Sequence, residues 1–195
     1  MGKQILMIQG HPDCKRAHLC HMLADAYADG AASAGHVVDT AEPARLDFPL
    51  LASADAWQHG AVPPSLAPVQ QAILRADHLV LVYPLWLGEM PALLKGFLEQ
   101  VARPGFAIAP DGRNPLDAGL LAGRSARVVI TMGMPAPVYR VFYGAHSLKC
   151  LRRNILGYVG IAPVRATLVG GAGTMDAVRA ERWRGRMRRL GGAAR

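Results

Sequence analysis

The sequence predicts an α/β protein: a doubly wound, five-stranded parallel sheet in the order 2-1-3-4-5, in one unit spanning residues 1–195. Three observations lead there. Five short apolar runs alternate with stretches of helical periodicity, the pattern of parallel strands joined by helical crossovers. Hydrophobic residues at 51% against 18% charged supply one sizeable core for a chain of this length. No internal repeat, low-complexity run or interdomain linker divides it. Five strand units, rather than six, fit this order better than the six-stranded dinucleotide-binding sheet.

The elements follow in order. Gln4 to Gln9, with Ile5, Leu6, Met7 and Ile8 ending at Gly10, reads as a buried first strand. From about Ala17 to Ala34, Leu19, Met22, Leu23, Ala26 and Tyr27 recur at helical spacing, and Gly35 stops the helix. His36 to Thr40 makes a second strand. A long Pro- and Asp-punctuated connection then runs from Glu42 to Pro64. Connections of that length are mostly functional, so Leu46 to Leu51 is expected to help wall a pocket. A helix over Ala67 to Ala76, a strand over His78 to Tyr83, and a helix opened by Pro91 continue the alternation. A Gly/Pro/Asp-rich excursion from Pro104 to Gly123 leads to a strand over Ala126 to Thr131 and a helix over Tyr143 to Leu156. Val164 to Val169 is the fifth strand. The closing helix from Asp176 carries a docked stripe of Ala180, Trp183, Met187 and Leu190 beneath a basic face.

The net charge of +8 is concentrated in that last helix. No nucleic-acid recognition motif accompanies it, so the charge is assigned to a solvated face. No apolar run approaches the roughly 20 residues that span a bilayer, and the start is read as strand rather than leader. Three cysteines, Cys14, Cys20 and Cys150, are an odd number without a CxxC pair, which fits free thiols in the cytoplasm better than disulfides.

In the 2-1-3-4-5 order the loops after strands one, three and four share one crevice. The first, Gly10 to His18, offers His11, Lys15, Arg16 and His18 beside a helix start whose amides favour an anion. It is a phosphate site in outline, without the GxxxxGK or GxGxxG patterns. The second, Pro84 to Met90, carries Leu85, Trp86 and Leu87. Large rings at the carboxyl end of a strand point to a flat ligand. The third runs from Met132 to Tyr139. His11, Cys14, His18, Cys20 and His21 crowd one stretch, but their spacing matches no ordinary zinc pattern. A turn position for Cys14 is the simpler reading than a nucleophile.

Gly10-His11-Pro12, Tyr83-Pro84-Leu85-Trp86 with Pro91-Ala92-Leu93-Leu94-Lys95-Gly96, and Thr131-Met132-Gly133 followed by Tyr139 resemble the NAD(P)H:quinone oxidoreductases of the flavodoxin-like fold over most of the chain. The resemblance implies a flavin, FAD in preference to FMN, held at a homodimer interface. NAD(P)H would reduce it, and a quinone or similar electrophilic acceptor would then take the electrons. It implies that His11, Arg16, His18 and Leu19 surround the flavin phosphate, that Pro84, Leu85, Trp86 and Leu87 lie along the ring and ribityl chain, and that Thr131, Met132 and Gly133 line the pyrimidine side. Tyr139 would face the nicotinamide or quinone, with His146 as its downstream partner. Arg16 stands where the family often has a hydroxyl residue, and Met132-Gly133-Met134-Pro135 replaces its double glycine. The same motifs fit a second expectation, a regulatory subunit that docks on a transporter or another protein.

Overall fold

A computed structural model describes residues 2–109 and 119–195. Strands β1 (Gln4–Gln9), β2 (Val37–Ala41), β3 (His78–Pro84), β4 (Ser125–Thr131) and β5 (Val164–Val169) form one sheet ordered β2-β1-β3-β4-β5. Every pairing is parallel. The register sets Gln9 beside Val82 and Pro84 beside Thr131, so the carboxyl ends of β1, β3 and β4 meet along one rim.

Because successive residues of a strand face opposite ways, the sheet builds two cores. Leu6, Ile8, Leu79, Leu81, Val128 and Ile130 face helices α3 (Ala67–Arg75) and α4 (Ala92–Val101). Ile5, Met7, Val80, Val82 and Val129 face Leu23 and Tyr27 of α1 (Leu19–Ser33). The remaining helices are α2 (Ala54–Gln58), α5 (Ala136–Val141), α6 (His146–Cys150) and α7 (Ala177–Gly192), which lies on α1. The basic helix docks as its stripe predicts: Met187 is buried, with Trp183 and Leu190 packed beside it. Backbones touch at this crossing. A Cβ on Gly30 would stand 2.0 Å from the Arg188 carbonyl oxygen, and one on Gly191 would stand 2.0 Å from that of Tyr27.

Boundaries differ from the sequence expectation where side chains intervene. α1 begins at Leu19 because His18 is extended as its N-cap. The second strand starts one residue late, since the His36 ring is held as acceptor to the Lys3 amide at 2.9 Å. The long connection contains a 3-10 turn at Pro43–Arg45 and α2. The helix expected over Tyr143 to Leu156 is broken: α5 ends at Val141, Gly144 and Ala145 turn through positive φ, and α6 runs into a π turn at Leu151–Leu156. The excursion from Pro104 to Gly123 falls partly outside the described residues. Among the described residues no helix is long and apolar enough to cross a membrane.

His78 opens β3 at 1% exposure. Its Nδ1 bonds the Ser125 hydroxyl at 2.8 Å, and its ring stacks with Tyr27 at 6.5 Å between centroids. Burial, followed by the charges of Lys3 and Arg127, pulls its pKa down to about 4.

Candidate functional site

Gly10 lets β1 turn sharply into the first loop. A Cβ there would meet Leu94 Cδ2 at 2.7 Å and Tyr83 Cβ at 3.1 Å, so a larger residue would have to push the buried Leu94 side chain aside. The His11 amide then donates to Gln9 Oε1 at 3.0 Å, and the His11 Nδ1 accepts from the Asp13 amide at 3.1 Å. The same Nδ1 also lies 3.3 Å from the Asp13 carbonyl oxygen; the shorter contact, with the amide, makes Nδ1 the acceptor of the neutral ring and puts its proton on Nε2. His21 is set the same way, its Nδ1 accepting from the His18 amide at 3.2 Å. His18 donates through Nε2 to Asp13 Oδ2 at 2.9 Å and stacks on His11 at 3.9 Å. His11 and His21 therefore each keep an Nε2–H for an outside acceptor. Burial, with the neighbouring His18, holds His11 below the ordinary histidine value. The hydrogen bond from His18, aided by the Lys15 amide, pulls Asp13 down to about 2 and keeps it an anion.

The amides of Leu19 and Cys20 open α1 immediately after His18, where first-turn N–H groups have no intrahelical acceptor. Among the described residues neither finds a partner. Neutral imidazole donors over a helix N-terminus make a receptor for an anion rather than for a metal. Arg16 is exposed, and Leu19 packs half-buried on the core behind the turn. Cys20 is buried, with Sγ 3.2 Å from the Thr131 hydroxyl; burial pushes its thiol up to about 12, which leaves it unreactive.

The second loop is a tight hairpin. Trp86 and Glu89 exchange amide and carbonyl at 2.9 Å in both directions, with Leu87 at φ +48° and Gly88 at φ +81° between them. Leu87 adopts a left-handed conformation that costs a branched residue roughly 1–2 kcal/mol, and its side chain stands wholly in solvent. Trp86 is half exposed and meets the His11 ring edge-on at 5.9 Å. The first loop's turn and the aromatic shelf are thus adjacent.

The third loop is tied to the second, because the Leu85 amide donates to the Thr131 carbonyl at 2.7 Å. Met132 is buried, and Gly133 faces open space. The amides of Leu87, Gly88 and Gly133 have no acceptor among the described residues. The structure brings together His11, His18, Pro84, Leu85, Trp86, Thr131 and Gly133, with Arg16 and Leu87 at the margin. Leu46 and Phe48 of the long connection pack on the core beside α4, Phe48 meeting Phe97 edge-on, while Arg45 reaches the Cys14 carbonyl at 3.3 Å. That segment buttresses the first loop.

Tyr139 and His146 do not form the expected pair. Tyr139 is 2% exposed; its hydroxyl bonds the Ser147 hydroxyl at 2.7 Å and accepts from the Leu148 amide at 3.1 Å. The αL turn at Ala145 swings His146 outward to solvent and aims Ser147 inward. Tyr139 locks α5 to α6 instead of facing the crevice. Tyr139→Phe is expected to lower stability by about 1–2 kcal/mol through the stranded partners, read by urea unfolding; a variant as stable as the parent would contradict this placement. His21 and Asp13 are the site residues missed by sequence reasoning. The His-x-x-His spacing at a helix start and an Asp two residues after a turn histidine were the available signals.

A family described as having the flavodoxin-like fold matches residues 3–190. An uncharacterized NAD(P)H oxidoreductase of Haemophilus influenzae is 35% identical over 119 residues, 60% of this chain and 58% of that protein, so the match spans less than two thirds of its length. An FMN-dependent NADH:quinone oxidoreductase of Nitratidesulfovibrio vulgaris is 30% identical over 91% of this chain and 93% of its own. The solved NAD(P)H:quinone oxidoreductase of Methanothermobacter marburgensis superposes with a TM-score of 0.79 at 23% identity, covering 98% of this chain and 96% of that one.

Proposed function

The chain belongs to the flavodoxin-like fold family, and from that premise we propose that it is a flavin-dependent NAD(P)H oxidoreductase that passes two electrons to a quinone or similar electrophilic acceptor. The adjacency of Trp86 and His11, 5.9 Å between ring centroids, carries this reading. It sets a flat aromatic shelf beside an anion receptor, the two halves that a flavin nucleotide requires. FMN is the cofactor we assign. The relative aligned along nearly its whole length is named for FMN, and the preference for FAD drawn from the resemblance has no such support.

The residues present fit that group. Orphaned amides at Leu19 and Cys20 and the Nε2–H groups of His11 and His21 suit a terminal phosphate. Unpaired amides at Leu87, Gly88 and Gly133 suit the polar edge of a ring, and Gly133 leaves open the space a side chain would fill. When bound, the flavin supplies the redox chemistry itself, accepting hydride from NAD(P)H and delivering two electrons to the acceptor. The protein orients the reactants, places donors where negative charge accumulates, and keeps those donors fixed before reaction. Trp86 and Leu87 expose apolar surface beside the crevice, and a second subunit covering them is part of the proposal.

Purified protein is expected to be yellow, to release FMN on denaturation, to sediment as a dimer, and to oxidise NAD(P)H when menadione is supplied. Colourless protein that stays inactive after incubation with FMN and with FAD would remove the proposal. Retained flavin with negligible quinone turnover would instead favour the regulatory-subunit expectation.

A further inference from the structure

We propose that a groove of about 840 Å³ along the outer edge of β5 is a second ligand site, built for a compact organic polyphosphate such as a nucleoside di- or triphosphate. Six arginines line it from separate parts of the chain: Arg127 on β4, Arg140 on α5, Arg152 in the π turn, Arg165 on β5, Arg186 on α7, and Arg195 beyond it. No aspartate or glutamate lines the groove among the described residues. Like charges gathered in one hollow repel one another. A multivalent anion relieves that repulsion, and the guanidinium fork matches phosphate oxygens in pairs.

The groove has a fixed floor. Arg127 is 5% exposed, donates through one terminal nitrogen to the Thr167 hydroxyl at 2.7 Å, and through Nε to the Arg195 carbonyl. Burial, followed by Arg165, Arg186 and Arg195, lowers its proton affinity, which marks those cations as close neighbours. Arg186 is held over the Trp183 ring at 5.0 Å. Leu148 and Leu190 add apolar wall, which suits the organic body of a ligand, and the volume lies in the range of small-molecule sites.

A compact anion fits better than a polymer. The arginines converge on one concavity instead of running along a line, as backbone phosphates of a nucleic acid would need. Elsewhere on α7, Arg184 pairs with Glu181 at 2.8 Å and Arg188 lies near Asp29 and Glu181, whereas among the described residues no aspartate or glutamate lies against the groove arginines. The groove shares no residue with the crevice of His11 and Trp86.

The test is calorimetric titration of the flavin-loaded full chain with tripolyphosphate and with ADP. Saturable one-site binding is expected, weakened at least tenfold in the triple variant Arg140→Gln, Arg152→Gln, Arg165→Gln, with flavin content and quinone turnover unchanged. Arg186→Gln alone should show a smaller loss and serves if the triple variant folds poorly. Absence of saturation, undiminished binding in both variants, or tighter binding of a DNA oligonucleotide or polyglutamate than of tripolyphosphate would overturn the proposal.

Discussion

Replacing Trp86 with alanine is expected to strip the protein of flavin while leaving the fold unchanged. The indole is half exposed, and the hairpin that carries it is closed by backbone bonds between Trp86 and Glu89 that alanine retains. Little folding free energy therefore rests on the ring. Aromatic stacking on a planar heterocycle contributes on the order of 1–3 kcal/mol by alanine substitution, which corresponds to a flavin Kd raised by about 5- to 150-fold. Trp86→Phe should recover most of the affinity because it restores a flat apolar face. Flavin fluorescence titration measures the affinity, and urea unfolding of the apoprotein measures the fold. A Trp86→Ala protein that binds FMN within threefold of the parent would show that the shelf does not hold the cofactor.

Stability is expected to fall by about 2–3 kcal/mol between pH 7.5 and pH 4.5 through His78 alone. The ring is buried, and its pKa of about 4 lies below the ordinary 6.5. Below pH 6.5 the unfolded chain takes up this proton first, so acidification favours unfolding until the folded protein also titrates near pH 4. The contribution is complete above 6.5 and is lost as the pH descends through that window. His78→Asn, which keeps a polar partner for Ser125, should flatten the decline even if it lowers stability at neutral pH. Urea melts of both proteins across the range decide the matter. Parallel pH profiles would mean that some other group controls acid stability.

The strand order was readable because each strand is an unbroken apolar run and each crossover has helical periodicity. The crevice was readable in part for the same reason. Once β1, β3 and β4 are neighbours, His11 and Trp86 must meet, and no detailed energetics are needed to say so. The break between α5 and α6 was hidden, since Ala145 adopts φ +48° only under tertiary constraint and alanine gives no local sign of it. That single turn decides that Ser147, and not His146, reaches the Tyr139 hydroxyl. Side-chain tautomers were equally out of reach. Sequence places His11, His18 and His21 within one stretch, but only the Asp13 and His18 amides dictate which nitrogens are left to donate. The charge count pointed only to the last helix: Arg184 and Arg188 there meet Glu181 and Asp29, whereas the gathering of arginines from several elements at the β5 edge depends on the tertiary fold and leaves no mark in any one stretch.

The contact of Gly30 with Arg188, and of Gly191 with Tyr27, reaches further than packing at the rear of the molecule. α1 is a lever whose other end carries the proposed phosphate-binding turn, and any side chain wedged at the crossing tilts the whole rod. Its opening amides would then miss their target without any change in the residues that present them. Tolerance to mutation along the final helix is thus governed by aim as well as by stability, and a methyl group far behind the crevice suffices to spoil the front.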